Sequence, residues 1–329
     1  MRFSPSPRIQ KHLRHRSTRW LAPLAGLAGL LPTGCQAPDP SDRWTVSPSS
    51  VVFKSSATDR PLLTYRHGDV PYKPYIERLC TPAGVNILRD APFDHLHHHG
   101  IMYAINADGV EYWAETPESG RQIVLDTRSP WTDRIDGLYR TRLTQELMYR
   151  GSREKLPSVI ENRTIEAYRG EDLQASLITW QSRLRTGKLG DEIKLSGKEY
   201  YGLGMRFVPS MDKGDDFFNA DGKNGFKATN NVPSRWCAYS AKAGDKLVTV
   251  AMFDHPANPR YPAVWFTMNE PFSYMTITPD LHHEGMTLKR GTPLVFRYGV
   301  ALWDGRTPAD QVEKLYQRWV TLANDRPSL

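Results

Sequence analysis

The feature that most constrains this sequence is a run near its end in which apolar residues alternate with others, one for one. Leu294, Phe296, Tyr298, Val300 and Leu302 interleave with Val295, Arg297, Gly299 and Ala301. A period of two sends the two sets to opposite sides of an extended chain, so the run reads as a strand with one heavily apolar face. Shorter apolar or alternating runs recur at 50–54, 61–65, 101–104, 122–126, 173–184, 246–253 and 263–268, and the clearest occupies 293–303. Pro and Gly, 25 and 24 in number, separate them throughout. Trp and Tyr are abundant, which suits strands rather than helices.

One segment alone reads as helix. Thr307 can cap, Pro308 suits the first helical position, Asp310 falls in the first turn, and Val312, Leu315 and Trp319 recur at helical spacing. No internal repeat and no Pro/Ser-rich linker interrupts the body. The expectation is an all-β chain, a large antiparallel β-sandwich with a short C-terminal helix, occupying 46–325 as one domain.

The first forty residues have another character. Arg2, Arg8, Lys11, Arg14, Arg16 and Arg19 precede a short apolar stretch at 21–31, which is followed by Pro32-Thr33-Gly34-Cys35. A basic region, an apolar region and then small residues are the order of a secretory signal. The apolar stretch is well short of the ~20 residues a spanning helix needs. It resembles a bacterial lipoprotein signal, in which Cys35 would be lipidated and become the new N-terminus; Pro32 departs from that pattern, where Leu is usual. The expectation is a signal at 1–34 and a polar tether at 35–45. The protein is then an exported cell-envelope lipoprotein of the outer membrane or periplasm, touching a membrane only through its lipid, with plain secretion as the alternative.

Charge follows the same division. The whole chain carries +7, a balance that invites a nucleic-acid partner. The six basic residues named above face no acid before residue 35, and the remainder holds 37 basic against 36 acidic residues. The body is near neutral, and nucleic acid is not expected. Cys80 and Cys237 could bridge in an oxidising compartment, but spacing alone does not place them in reach of each other.

Three fragments concentrate chemistry. Asp94-His95-Leu96-His97-His98-His99-Gly100 holds four of the ten histidines within five residues. Histidine titrates near neutrality and ligates transition metals, so His95, His97 and His98 are candidate ligands for a divalent metal, although nothing in the sequence requires a cofactor. In an extended segment His95, His97 and His99 would share a face, with Asp94 orienting an imidazole. Phe253-Asp254-His255-Pro256-Ala257-Asn258-Pro259-Arg260-Tyr261-Pro262 leads into Trp265, and its three prolines stiffen a loop that displays His255 and Asn258. In Tyr200-Tyr201-Gly202-Leu203-Gly204-Met205-Arg206-Phe207 the glycines permit close backbone approach. Arg206 there must be paired, for example with Glu161, or aimed at a ligand. Asp280-Leu281-His282-His283-Glu284 could line a site or be an ordinary loop.

These fragments, together with Lys73-Pro74-Tyr75, Thr81-Pro82-Ala83-Gly84-Val85, Gly109-Val110-Glu111-Tyr112-Trp113, Trp236, Gly291 and Arg297-Tyr298, occur in an order that resembles the family DUF6807. Members often carry the inherited label "PmoA family" or "methane oxygenase PmoA". His99 stands where the family often has Arg. A subunit of particulate methane monooxygenase crosses the membrane with several helices, and no segment of this body is long and apolar enough to do so.

The resemblance implies a galactose-mutarotase-like β-supersandwich and a carbohydrate or glycoside ligand. The leading expectation is an enzyme acting on a sugar by acid–base chemistry through His97, His98 and His255, with Arg206 stabilising developing charge. Asp94, His95, Trp113, Asn258 and Trp265 would bind the substrate, with Trp236 as a further platform. The alternatives are a non-catalytic glycan-binding lipoprotein and a metal-dependent oxygenase using the three histidines.

Overall fold

The computed structural model describes residues 43–55, 60–187 and 192–324. The expected signal, Cys35 and most of the tether lie outside the described residues. The tether also ends sooner than expected, because Trp44 already pairs with Phe53.

Half-buried period-two runs fold as the sequence predicts. In chain order the first strands are β1 (Trp44–Val46), β2 (Ser50–Lys54), β3 (Pro61–Arg66), β4 (Tyr75–Leu79), β5 (Ile101–Tyr103), β6 (Asn106–Ala107) and β7 (Val110–Glu111). Three long strands follow as a meander, β8 (Arg121–Ile135), β9 (Leu138–Arg150) and β10 (Val159–Arg169), then β11 (Ser176–Thr186), β12 (Glu192–Ser196) and β13 (Leu203–Arg206). After β14 (Phe217–Asn219) and the one-turn α1 (Phe226–Thr229) come β15 (Trp236–Ala243), β16 (Lys246–Asp254), β17 (Val264–Met268), β18 (Tyr274–Thr278), β19 (Met286–Lys289) and β20 (Leu294–Asp304). The chain ends in α2 (Ala309–Asn324).

These strands build two eight-stranded sheets and a small third one. The first sheet runs β1-β2-β3-β4-β5-β13-β18-β17, the second β14-β15-β16-β20-β11-β10-β9-β8, and the third β19-β12-β6-β7. Every pairing between these strands is antiparallel. This is the antiparallel β-supersandwich with a short C-terminal helix that the sequence leads one to expect.

Alternation assigns the faces. In β20, Phe296, Tyr298, Val300 and Leu302 enter the main core with Ile101, Tyr103, Leu203, Met205, Met275 and Ile277 of the first sheet. Burying such a face removes about 25 cal/mol per Å² of apolar surface from water, the main driving force for closing the two sheets. The other side of β20 looks outward: Ala301 and Trp303 pack with Phe253, Trp236, Val312, Tyr316 and Trp319 under α2. The buried stripe of α2 is therefore Val312, Tyr316 and Trp319, while the expected Leu315 sits at its edge. Gly299 makes this docking possible, since a Cβ there would come within 2.7 Å of the Trp319 ring.

The first sheet has a corresponding outer face. Met102, Ala104, Tyr75 and Tyr274 point away from the main core and cluster with Trp113, Tyr201 and Phe272. The molecule thus has an inner core and two outer faces, and the predicted site residues are divided among them. Cys80 and Cys237 are both free and buried.

Candidate functional site

The outer face of the first sheet gathers the histidine segment and Arg206. The segment is not extended. His95 N–H donates to Pro92 O and His98 N–H to His95 O, two successive turns. His95 and His98, three residues apart, therefore stack, with centroids 4.5 Å apart and planes at 25°. This corrects the expectation that His95, His97 and His99 share a face; the turns replace the period of two with a period near three.

His98 is enclosed. Its ring meets His97 edge-on at 4.6 Å, Trp113 at 5.3 Å, Phe272 at 5.5 Å and Tyr274 at 5.7 Å. Burial first, then the charges that His97, His95, Arg206 and Lys73 can carry, push its pKa down to about 2, so the ring is neutral at any ordinary pH. His97 is half-buried at the rim, and burial together with Lys73 and His95 lowers its pKa as well. Asp94 Oδ2 lies 3.1 Å from His95 Nδ1, within ion-pair distance but without hydrogen-bond geometry.

Arg206 comes from β13, which β5 and β18 flank. It is 1% exposed, and its guanidinium carbon lies over Phe272, 3.3 Å from the ring centroid. The ion pair with Glu161 does not form; Glu161 serves Arg163, Tyr149 and Ser182 in the main core. The nearest carboxylate to Arg206 is Asp94, at 3.6 Å and one-third exposed. Nε and Nη1 of Arg206 and Nδ1 of His98 are buried without a hydrogen-bond partner. Leaving such buried polar groups unmet costs roughly 1–3 kcal/mol each, and burial lowers the Arg206 pKa. Gly204 clears the adjacent space, because a Cβ there would overlap the Tyr274 hydroxyl.

Behind this layer stands an ionic chain that the sequence reading missed. His99 Nδ1 lies 2.6 Å from Asp90 and Nε2 2.9 Å from Glu115, while Lys73 Nζ donates to Glu115 at 2.9 Å and to Trp113 O at 2.7 Å. Burial disfavours charge on His99, but the hydrogen bonds to Asp90 and Glu115 outweigh it and raise the pKa. His99, with both ring nitrogens facing carboxylates, is held as a cation between them. Tyr75 stacks on it at 4.0 Å and donates to Asp90. Lys73, Tyr75 and Trp113 carried a signal as motif residues; Asp90 and Glu115 carried none.

The face-to-face stack of His95 and His98 points their in-plane lone pairs side by side rather than toward one point. Among the described residues no group of three or more His, Cys, Asp or Glu is arranged to hold a metal ion, so the set His95, His97 and His98 does not fit one in this conformation.

The remaining predicted residues go elsewhere. His255 is 1% exposed and packs edge-on against Trp319 of α2 at 5.6 Å, on the outer side of the second sheet. The sandwich lies between it and His98, so the pairing of the two as acid and base is not assembled. Asn258 donates to Asp254 at 2.7 Å and to Arg297 O at 2.6 Å, and accepts from Arg297 N, which makes it a clamp for the loop. Trp265 lies in the main core and donates to Ser234 O; Trp236 lies under α2 and donates to Glu313. Neither offers a free ring. Of the tryptophans expected to hold substrate, Trp113 alone belongs to the histidine site. The 280–284 loop is tied down by Arg260, which donates to Asp280 O and Gly285 O.

Among solved structures, the chain is similar to the galactosidase domain of the alpha-galactosidase-sucrose kinase AgaSK, with a TM-score of 0.42 and 10% identity over 80% of this chain and 42% of that one. It is similar to the GH36 alpha-galactosidase AgaA from Geobacillus stearothermophilus, with a TM-score of 0.38 and 12% identity over 80% and 40%. A putative kojibiose phosphorylase from the human microbiome gives 0.32 and 10% over 85% and 36%. The chain spans less than half the length of each. No curated protein matches. The model of a family of unknown function, DUF6807, matches residues 53–317, and the chain belongs to that family.

Proposed function

We propose that this protein is an exported carbohydrate-active protein, tethered through a lipid on Cys35, that acts on a sugar or glycoside at the outer face of the first sheet. The observation that carries this reading is the set of buried polar atoms without partners, the donors Arg206 Nε and Nη1 and the ring nitrogen His98 Nδ1, set among Trp113, Phe272 and Tyr274. Apolar ring surface beside a few convergent polar groups suits a pyranose, whose faces are apolar and whose rim is hydroxyl.

In this reading neutral His97 takes the proton of a sugar's anomeric hydroxyl as the ring C–O bond opens to leave a carbonyl, Arg206 donates to the ring oxygen on which charge gathers, and the His97 imidazolium delivers the proton to that oxygen. His98, with its pKa near 2, serves as a neutral hydrogen-bonding group. His255 has no part in it. A binding-only lipoprotein is the second reading, favoured by the enclosure of His98 by five rings.

A thermal-shift screen of mono-, di- and 3-keto-sugars, followed by product analysis, tests both. Turnover lost in His97→Ala and Arg206→Met supports the enzyme. Tight binding without turnover supports the binder, and turnover unchanged by both substitutions defeats the assignment. Anchoring is tested by fractionation, where Cys35→Ser should move the protein from membranes to the soluble fraction.

A further inference from the structure

The outer face of the second sheet carries a second feature that the histidine site does not use. Beyond the part covered by α2, strands β8, β9, β10, β11 and β20 form the floor of a groove of about 1220 Å³, bounded by the 255–262 loop through Ala257 and Pro259. The volume exceeds the roughly 300–1,000 Å³ of a typical small-molecule site. Five adjacent strands span about 19 Å at the usual inter-strand spacing.

The floor is polar because alternation makes it so. Thr144 and Glu146 of β9, Asn162 and Thr164 of β10, and Gln181 of β11 are the residues between those that enter the main core. Their acidic neighbours are held by arginines. Both floor glutamates are paired, Arg142 donating to Glu166 at 2.6 Å and Arg185, beside the groove, to Glu146 at 2.8 Å, while Arg297 Nε donates to the neutral amide of Gln181 at 2.9 Å. Four arginines and three carboxylates line the groove, so it offers donors and acceptors with little net field.

One aromatic ring completes it. Trp131 is 42% exposed, with the Arg142 guanidinium 4.7 Å over its ring. A bulge puts it there: between Arg128 and Trp131 the register of β8 slips against β9, so that Trp131 faces Arg142 as Arg128 faces Thr144. Without the extra residue Trp131 would point the other way.

We propose that this groove is a separate binding site for an uncharged oligosaccharide, with Trp131 as its stacking platform. Hydroxyls donate and accept at once, matching a floor of paired ions and amides, whereas a polyanion would need an excess of unpaired cations. The choice of a glycan rests on the carbohydrate reading above; the location does not depend on the histidine site.

The test is calorimetric titration of the protein with maltotetraose, cellotetraose and xylotetraose, with glucose and polygalacturonate as comparisons. A neutral tetrasaccharide should bind more tightly than glucose, and raising salt from about 0.05 to about 0.5 M should change its affinity less than about twofold. Trp131→Ala should weaken it about tenfold, and Thr144→Trp, which fills the floor, should abolish it, while His98→Ala leaves it unchanged. Binding lost in His98→Ala but indifferent to Trp131→Ala and Thr144→Trp would place the glycan at the histidine site, overturning the groove and sparing the proposed function. Preference for polygalacturonate with strong salt dependence, or no neutral oligosaccharide bound at all, also overturns it.

Discussion

Two arginines, each 1% exposed, stand in opposite circumstances. Arg163, in the main core, gives Nε and Nη2 to Glu161, Nη2 to Gln122, and Nη1 to Tyr65 and Pro74 O, and lies 4.4 Å over the Trp180 ring. Arg206, on the outer face, has one carboxylate at 3.6 Å and two nitrogens without a partner. Burial opposes the charge of both. In Arg163 the nearby Glu161 outweighs burial and raises the pKa, whereas in Arg206 burial prevails and lowers it. A buried guanidinium with its donors met belongs to the fold. One with its donors unmet stores a cost that a bound ligand can relieve.

The comparison breaks if the two behave alike on substitution. Arg163→Met should cost about 3–5 kcal/mol, since it leaves Glu161 buried and uncompensated. Arg206→Met should stay within about 1 kcal/mol of wild type, as read by urea denaturation. Equal losses would make Arg206 structural and remove the basis of the proposed site. His99 offers an intermediate case. His99→Leu should cost about 2–3 kcal/mol by removing the cation between Asp90 and Glu115, which would keep only Tyr75 and Lys73 as donors, while His99→Arg, which keeps the cation, should cost less than half as much in the same assay.

Acid titration sharpens the picture further. The pKa of His98 is depressed in the folded state to about 2, so protonation near its ordinary value of about 6.5 favours unfolding. Stability from this group is present above pH ~6.5 and falls by up to about 1.4 kcal/mol per pH unit below it. His99 has the opposite sign, with stability present at low pH and lost as pH rises through its raised pKa. His98→Gln should flatten the acid limb of a stability-against-pH curve; an unaltered limb would show that His98 is not the titrating group. The smallest effect belongs to the groove, where Trp131→Ala should shift stability by no more than about 0.5 kcal/mol. A larger loss would mean that this exposed ring supports the sandwich rather than serving a ligand.

Much of the fold was legible in the residues. The runs at 50–54, 61–65, 101–104, 246–253, 263–268 and 293–303 became β2, β3, β5, β16, β17 and β20 within a residue or so of each end, because a period of two matches the strand repeat and little else. The helix was legible from its apolar spacing, and it starts one residue after the expected Pro308. The groove was not, because an outward polar residue on a half-buried strand looks the same whether it faces bulk water or a cleft. The bulge that turns Trp131 left no signature either. Glu115 and Asp90 were missed for a related reason: a lone acid in a loop acquires meaning only from the cation it meets.

What the sequence determined by itself is local. It set which residues alternate, hence which side chains lie on which side of each strand, where a helix starts, and that the histidines stand close together. What the tertiary structure decided is which of those sides meet. Inserting β13 between β5 and β18 carries Arg206 to His98, while α2, docked over β20 and β16 on the other sheet, brings Trp319 onto His255. Strand order joins residues far apart in the chain through the burial of whole faces, and no local pattern encodes which face will find which.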